Sequence, residues 1–171
     1  MSIAVSSAAR VAPPSRQVRV FLLHHHELIR CGVRSVLDGC DDLALVGEAA
    51  VASGATARIA ALRPDVVVLD TRMDGGAGVE ICRALGVCVP PVATLVLAAD
   101  DDDTHFAAID AGATGFLLDQ VSAGELAQGI RRVADGLSVL DPAVTGRVLD
   151  RLRQGQALPA VRRVAGIAAH G

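Results

Sequence analysis

Five short apolar runs punctuate this chain: VRVFLL from Val18, LALVGEA from Leu43, DVVVLD from Asp65, ATLVLAA from Ala93 and GFLLD from Gly115. Runs that are apolar on consecutive residues suit strands covered on both faces, the pattern of a parallel sheet flanked by helices. Between them lie stretches of helical period over roughly 27–38, 53–62, 77–85, 103–111 and 123–135. Five βα units in a row predict a doubly wound α/β fold.

Local chemistry supports several boundaries. Ser122 and Glu125 form an [ST]xxE pair ahead of the fifth helix, where hydroxyl and carboxylate can satisfy the free amides of the first turn. Asp141 followed by Pro142 reads as N-cap and first residue of a sixth helix reaching about Arg153. Gly112 and Gly136 sit where the fourth and fifth helices should stop. Residues 1–17 are small, Pro-containing and aperiodic and read as a disordered leader, and residues 154–171 as a tail or linker stub. The N-terminal stretch has no basic region followed by a long apolar one, and no apolar run reaches the about 18 residues a membrane span needs. A cytoplasmic protein with no membrane contact is the expectation.

Composition then removes several functions. At 171 residues and 51% apolar the chain can bury the core of one domain, and its formal charge of -3 gives no overall attraction to nucleic acid. All 16 cationic residues are arginine, so no lysine is available for amine chemistry. Aromatics amount to 2%, all Phe, against a flavin sandwich or a base-stacking platform. Neither GxGxxG nor a Walker motif is present, and GGAG from Gly75 is too weak a phosphate-loop signal to count. Cys31, Cys40, Cys82 and Cys88 form no CxxC pair and are expected as reduced, packed thiols.

In an open parallel sheet, ligands bind outside the carboxyl ends of the strands. Those ends carry His24, His25 and His26 after the first run, Asp70 after the third, Ala98 to Asp103 after the fourth and Asp119 after the fifth. A carboxylate at the tip of a buried strand is held rigid while its oxygens face the cleft, which suits phosphoryl acceptance or metal binding. Asp70 capping the following turn is the plainer alternative.

The stretches RPDVVVLDTRM and AGATGFLL, with the order of all the elements over residues 18–136, resemble the receiver domain of LuxR/NarL (FixJ)-type response regulators. The resemblance implies a flavodoxin-like (CheY-like) five-stranded parallel sheet of order 2-1-3-4-5. It also implies that residues 137–153 are the helix leading to an output domain. A helix-turn-helix output domain binds DNA in that group. Nothing after Leu152 looks like one, so the chain is expected to be a truncation, an excised receiver or a stand-alone regulator.

By the same resemblance Asp70 is the phosphoacceptor equivalent and Phe116 the switch aromatic. The rest of the pocket departs from the pattern. His24 and His25 stand where the family has two acidic residues that hold a divalent cation, Ala98 stands for the hydroxyl residue and Asp119 for the lysine. His26 and Glu27 match the HE that commonly follows the acidic pair, and Met73-Asp74-Gly75 replaces the usual MPG. Mg²⁺ prefers oxygen ligands over imidazole nitrogen, and an incoming phosphoryl dianion would meet Asp119 where its counter-ion belongs. Mg²⁺ binding is therefore expected to be lost or weak, with no other cofactor.

Three readings of the histidines stand side by side. They could form a transition-metal site with Asp70, against which three consecutive residues of extended chain cannot all point one way. They could supply positive charge to Asp70 or Asp119. They could be residues left by drift. The acidic run Asp100–Asp103 admits two, a solvated helix start or part of a cation site.

The functional expectation is an atypical receiver that regulates transcription without phosphorylation. It would work through homodimerisation, a small-molecule ligand or a partner protein, reaching DNA only through an output domain. Helices one and five, or four and five, are the candidate dimer surfaces, with Leu126 and Ile130 open to core or interface. The alternatives are a conventional receiver phosphorylated at Asp70 by a histidine kinase in a two-component phosphorelay and, from another class, a flavodoxin-like cofactor-binding enzyme.

Overall fold

The computed structural model describes residues 16–99 and 104–154. Most of the expected leader, the Asp100–Asp103 run and the tail beyond Gln154 lie outside the described residues. The elements are β1 (Val18–Leu23), α1 (Glu27–Asp38), β2 (Leu43–Ala49), α2 (Ala55–Leu62), β3 (Val66–Leu69), α3 (Ala77–Gly86), β4 (Ala93–Ala98), α4 (Thr104–Asp110), β5 (Gly115–Leu118), α5 (Ala123–Ala134), β6 (Val139–Leu140) and α6 (Pro142–Arg153). A 3₁₀ turn over Met73–Gly75 precedes α3.

The strands form one parallel sheet in the order β2-β1-β3-β4-β5-β6. The expected order of five is present, and a sixth strand extends it. Two residues long, β6 pairs Val139 with Gly115 and Leu140 with Phe116, too short to leave a periodicity in the sequence.

Consecutive apolar residues serve two cores because successive side chains leave a strand on opposite faces. Phe21, Leu23, Val67, Leu69, Val96 and Phe116 pack on one side against residues of α2, α3, α4 and α6. Val20, Leu22, Val66, Val68, Leu95 and Leu117 pack on the other against α1 and α5. All four residues of β3 are fully buried. Leu126 and Ile130, on α5, belong to this second core, so they are packing residues and not an exposed interface.

The caps stand as the sequence implies. Ser122 Oγ accepts from the Glu125 amide while the Glu125 carboxylate accepts from the Ser122 amide. Asp141 Oδ1 accepts from the Ala143 amide, and Gly112 and Gly136 take positive φ beyond α4 and α5. α6 lies on the molecule: Val144 and Val148 join the first core, and the Arg151 guanidinium sits 4.3 Å from the centre of the Phe106 ring. The packed-thiol expectation is corrected, since Cys82 is buried and Cys40 half-buried but Cys31 and Cys88 are exposed; all four are free. Among the described residues no helix is long and apolar enough to cross a membrane.

Candidate functional site

Strand pairing brings the site residues to one edge. Leu23 pairs with Leu69, so the next residue on each strand, His24 and Asp70, are neighbours. Single backbone bonds carry the ladder past the strand ends: the Asp70 amide donates to Leu23 at 3.0 Å, the His24 amide to Ala49 at 3.1 Å and the Asp119 amide to Ala98 at 2.8 Å. Asp70, His24 and Asp119 are thus fixed at the backbone before any side chain is placed.

Asp70 is 1% exposed, and both its carboxylate oxygens have partners. The Arg72 amide donates to Oδ1 at 2.9 Å. His25 Nδ1 stands 2.7 Å from Oδ2 as an ion-pair contact, from a side chain 41% exposed. The histidine–carboxylate pairing considered from the sequence is therefore made with Asp70. Among the described residues no hydrogen bond or ion pair reaches the Asp119 carboxylate, which is half-buried.

The three rings are gathered because the chain leaves strand geometry after Leu23 and bends at His25. Extended-chain alternation therefore does not separate them. His24 and His25 stack with centroids 5.4 Å apart at 9°, and the His25 and His26 centroids are 3.9 Å apart. Arg30, one turn into α1, donates from Nη1 to the carbonyls of His24 and His25 at 3.0 and 3.1 Å and holds the bend.

His24 is 3% exposed and differs from its neighbours. Burial pushes its imidazole down to about 4; the Asp70 carboxylate opposes the shift, while His25, His26 and Arg30 add to it. The ring is neutral at neutral pH. Its Nδ1 accepts from the His26 amide at 3.1 Å, so the ring proton resides on Nε2.

One ligand atom from each of His24, His25 and Asp70 lies within 4.8 Å of the others. Two imidazoles and one carboxylate do not fit Mg²⁺, the ion the receiver pattern implies, because Mg²⁺ demands oxygen ligands and dehydrates reluctantly. Ala98 is buried at 1% and Phe116 at 0%. The Phe116 carbonyl accepts from the Asp141 amide at 2.9 Å, which ties β5 to the start of α6.

Three participants escaped sequence reasoning. The Arg30 clamp lies six residues from His24, but a surface-helix arginine gives no sign of turning back. The Arg72 contact uses a backbone amide, which side-chain patterns cannot reveal. Thr71, fully buried beside Asp70, keeps its hydroxyl oxygen without a hydrogen-bond partner among the described residues.

The sequence model of the response regulator receiver domain matches residues 20–131. The chain is 40% identical over 124 residues to the DNA-binding transcriptional activator DevR/DosR of Mycobacterium tuberculosis, covering 72% of this chain and 57% of that one. It is 36% identical over 123 residues to the transcriptional regulatory protein LiaR of Bacillus subtilis, covering 70% and 57%. Among solved structures, the signal receiver domain of a NarL response regulator from Mycobacterium tuberculosis superposes with a TM-score of 0.67 at 32% identity, covering 71% of this chain and 99% of that one. The chain thus spans 57% of the length of these two curated relatives. Its homologues are transcription regulators rather than enzymes. With the sheet order, the aspartate at the end of β3 and these matches in agreement, the chain belongs to the response regulator receiver family, and its relatives are LuxR/NarL-type regulators.

Proposed function

We propose that this receiver regulates transcription without phosphorylation of Asp70. The observation that carries the reading is the engagement of both Asp70 oxygens by the protein, Oδ1 by the Arg72 amide and Oδ2 by the ion-pair contact with His25 Nδ1. To attack phosphorus, Oδ2 must give up its pairing with His25. His24 is neutral, Ala98 offers no hydroxyl donor, and Asp119 repels an incoming dianion.

Signalling then runs through occupancy of the cleft or through association. As a cytoplasmic regulator the chain acts as a homodimer, taking a ligand or partner protein in place of a histidine kinase and reaching DNA through a helix-turn-helix output domain. Residues 18–136 form the receiver and 137–153 the connecting segment, helical over Pro142–Arg153. Leu140, Leu149 and Leu152 are exposed on β6 and α6 and support association on that side.

Incubating the full chain with a small phosphodonor and Mg²⁺, followed by intact-mass measurement, tests the reading. The expected result is no phosphoryl adduct above that of the Asp70→Asn variant. Stoichiometric, Asp70-dependent labelling would restore the conventional phosphorelay and overturn the proposal.

A further inference from the structure

We propose that His24, His25 and Asp70 form a binding site for a borderline divalent transition ion of the Zn²⁺ class, with selectivity against Mg²⁺. The inference deepens the proposed function by naming the ligand, and it rests on Asp70 being free of phosphoryl chemistry. Three observations carry it together.

The first is convergence. Residues from two strand ends, 24–25 and 70, bring one nitrogen or oxygen each to within 4.8 Å of one another. Two imidazoles with one carboxylate make a common three-residue ligand set for zinc, leaving a fourth position for water or an exogenous ligand. Nitrogen donors favour Zn²⁺, Ni²⁺ and Cu²⁺, whereas Mg²⁺ requires oxygen.

The second is orientation by surrounding groups. The Arg72 amide holds Asp70 Oδ1, which leaves Oδ2 for the imidazole side. Arg30 fixes the carbonyls of both histidines, and the His24 and His25 rings lie nearly parallel, at 9°. Outer hydrogen bonds of this kind pre-set ligand geometry around a metal.

The third is the contact the ion would replace. His25 Nδ1 and Asp70 Oδ2 stand 2.7 Å apart. Two ligands on one tetrahedral ion at about 2.1 Å are about 3.4 Å apart, so the pair opens by less than about 1 Å as the ion enters. A neutral His25 ring moves its proton from Nδ1 to Nε2; an imidazolium ring releases one proton to solvent. His25, 41% exposed, has room for this movement. Coordination by His24 costs its bond from the His26 amide, because a ring with one nitrogen on the metal carries its proton on the other. The His26 amide then turns to solvent, where His26 already lies exposed.

The experiment uses the full chain carrying Cys31→Ser and Cys88→Ser, which removes the exposed thiols. Zn²⁺ is titrated in competition with a chromophoric chelator, and Co²⁺ is added in parallel to read its visible spectrum. One equivalent should bind with a nitrogen/oxygen-type Co²⁺ spectrum. Binding should weaken about tenfold or more in His25→Ala and in Asp70→Asn, and millimolar Mg²⁺ should not compete. His25→Ala leaves the core untouched, and Asp70→Asn preserves shape. Substoichiometric binding, equal affinity in both variants or displacement by Mg²⁺ overturns the site. The proposed function fails separately, by a phosphoryl mass gain at Asp70, whatever the Zn²⁺ titration gives.

Discussion

His25 Nδ1 stands 2.7 Å from Asp70 Oδ2 in an ion-pair contact that joins the bend after β1 to the tip of β3. With Arg72 on Oδ1, the carboxylate is held from both sides by the protein. On the proposed reading, His24, His25, Ala98 and Asp119 are four departures from the receiver pattern that act on one charge balance.

Reversing one departure should therefore not restore acceptor chemistry. His25→Ala frees Oδ2 but leaves Asp119 and Ala98 in place, and no phosphoryl adduct should form. The combination His24→Asp, His25→Asp, Ala98→Thr and Asp119→Lys rebuilds the carboxylates, hydroxyl and ammonium together. Intact-mass measurement with a phosphodonor and Mg²⁺ should then detect an Asp70-dependent adduct. Labelling of His25→Ala alone would place the block in that one ion-pair contact.

Stability should fall on acidification through His24. Its folded imidazole is lowered to about 4 from an ordinary 6.5, chiefly by burial. Above pH 6.5 the ring is neutral in both states and the site carries no penalty. As pH drops from 6.5 towards 4 the unfolded ring takes up a proton and the folded ring does not, so stability declines. The full loss is about 3 kcal/mol. His24→Asn, whose side-chain oxygen can accept from the His26 amide, should flatten this part of the profile. Urea unfolding of chelator-treated protein at several pH values checks it; an unchanged slope in the variant refutes the assignment.

Two glycines should respond differently to alanine. A Cβ at Gly78 would stand 2.3 Å from the Asp70 carbonyl oxygen and 2.6 Å from Thr71 Cα, both backbone atoms at the site. A Cβ at Gly129 would meet the end of the Leu117 side chain at 2.8 Å, which can rotate away. Gly78→Ala should cost about 2–3 kcal/mol. Gly129→Ala should stay within about 1 kcal/mol of wild type, since alanine's helix propensity offsets the crowding. Denaturant midpoints measure both, and equal costs would contradict the close approach of α3 to β3.

Helix α5 is a core element on its inner face. Ile130 is 0% exposed and packs with Leu22, Leu95 and Leu117 in the second core, whereas Leu149 on α6 is 46% exposed. Ile130→Ala should destabilise by about 3 kcal/mol. Leu149→Ala should change stability by no more than about 0.5 kcal/mol. Thermal unfolding read alongside light scattering separates lost stability from lost association; a mild Ile130→Ala variant would argue that α5 packs loosely.

Much of the fold was legible because its signals are local. Consecutive apolar residues marked strands buried on both faces, Glu27–Asp38 and Pro142–Arg153 had the expected helical limits, and the Ser122–Glu125 and Asp141–Pro142 caps act within one turn. The strand β6 was not legible, because two residues carry no period and its pairing depends on β5 being in place.

For the site, the sequence by itself determined which residue types arrive at the carboxyl edge of the sheet: three histidines, Asp70, Ala98 and Asp119. Only the tertiary structure decided that His24 is buried and neutral while the adjacent His25 is exposed and bonded to Asp70. The physical reason is that strand alternation ends with the strand at Leu23. Beyond it, ring positions follow from the bend at His25, the Arg30 clamp and the neighbouring tip of β3, contacts that reach from His25 to Asp70 along the chain and leave no periodic trace.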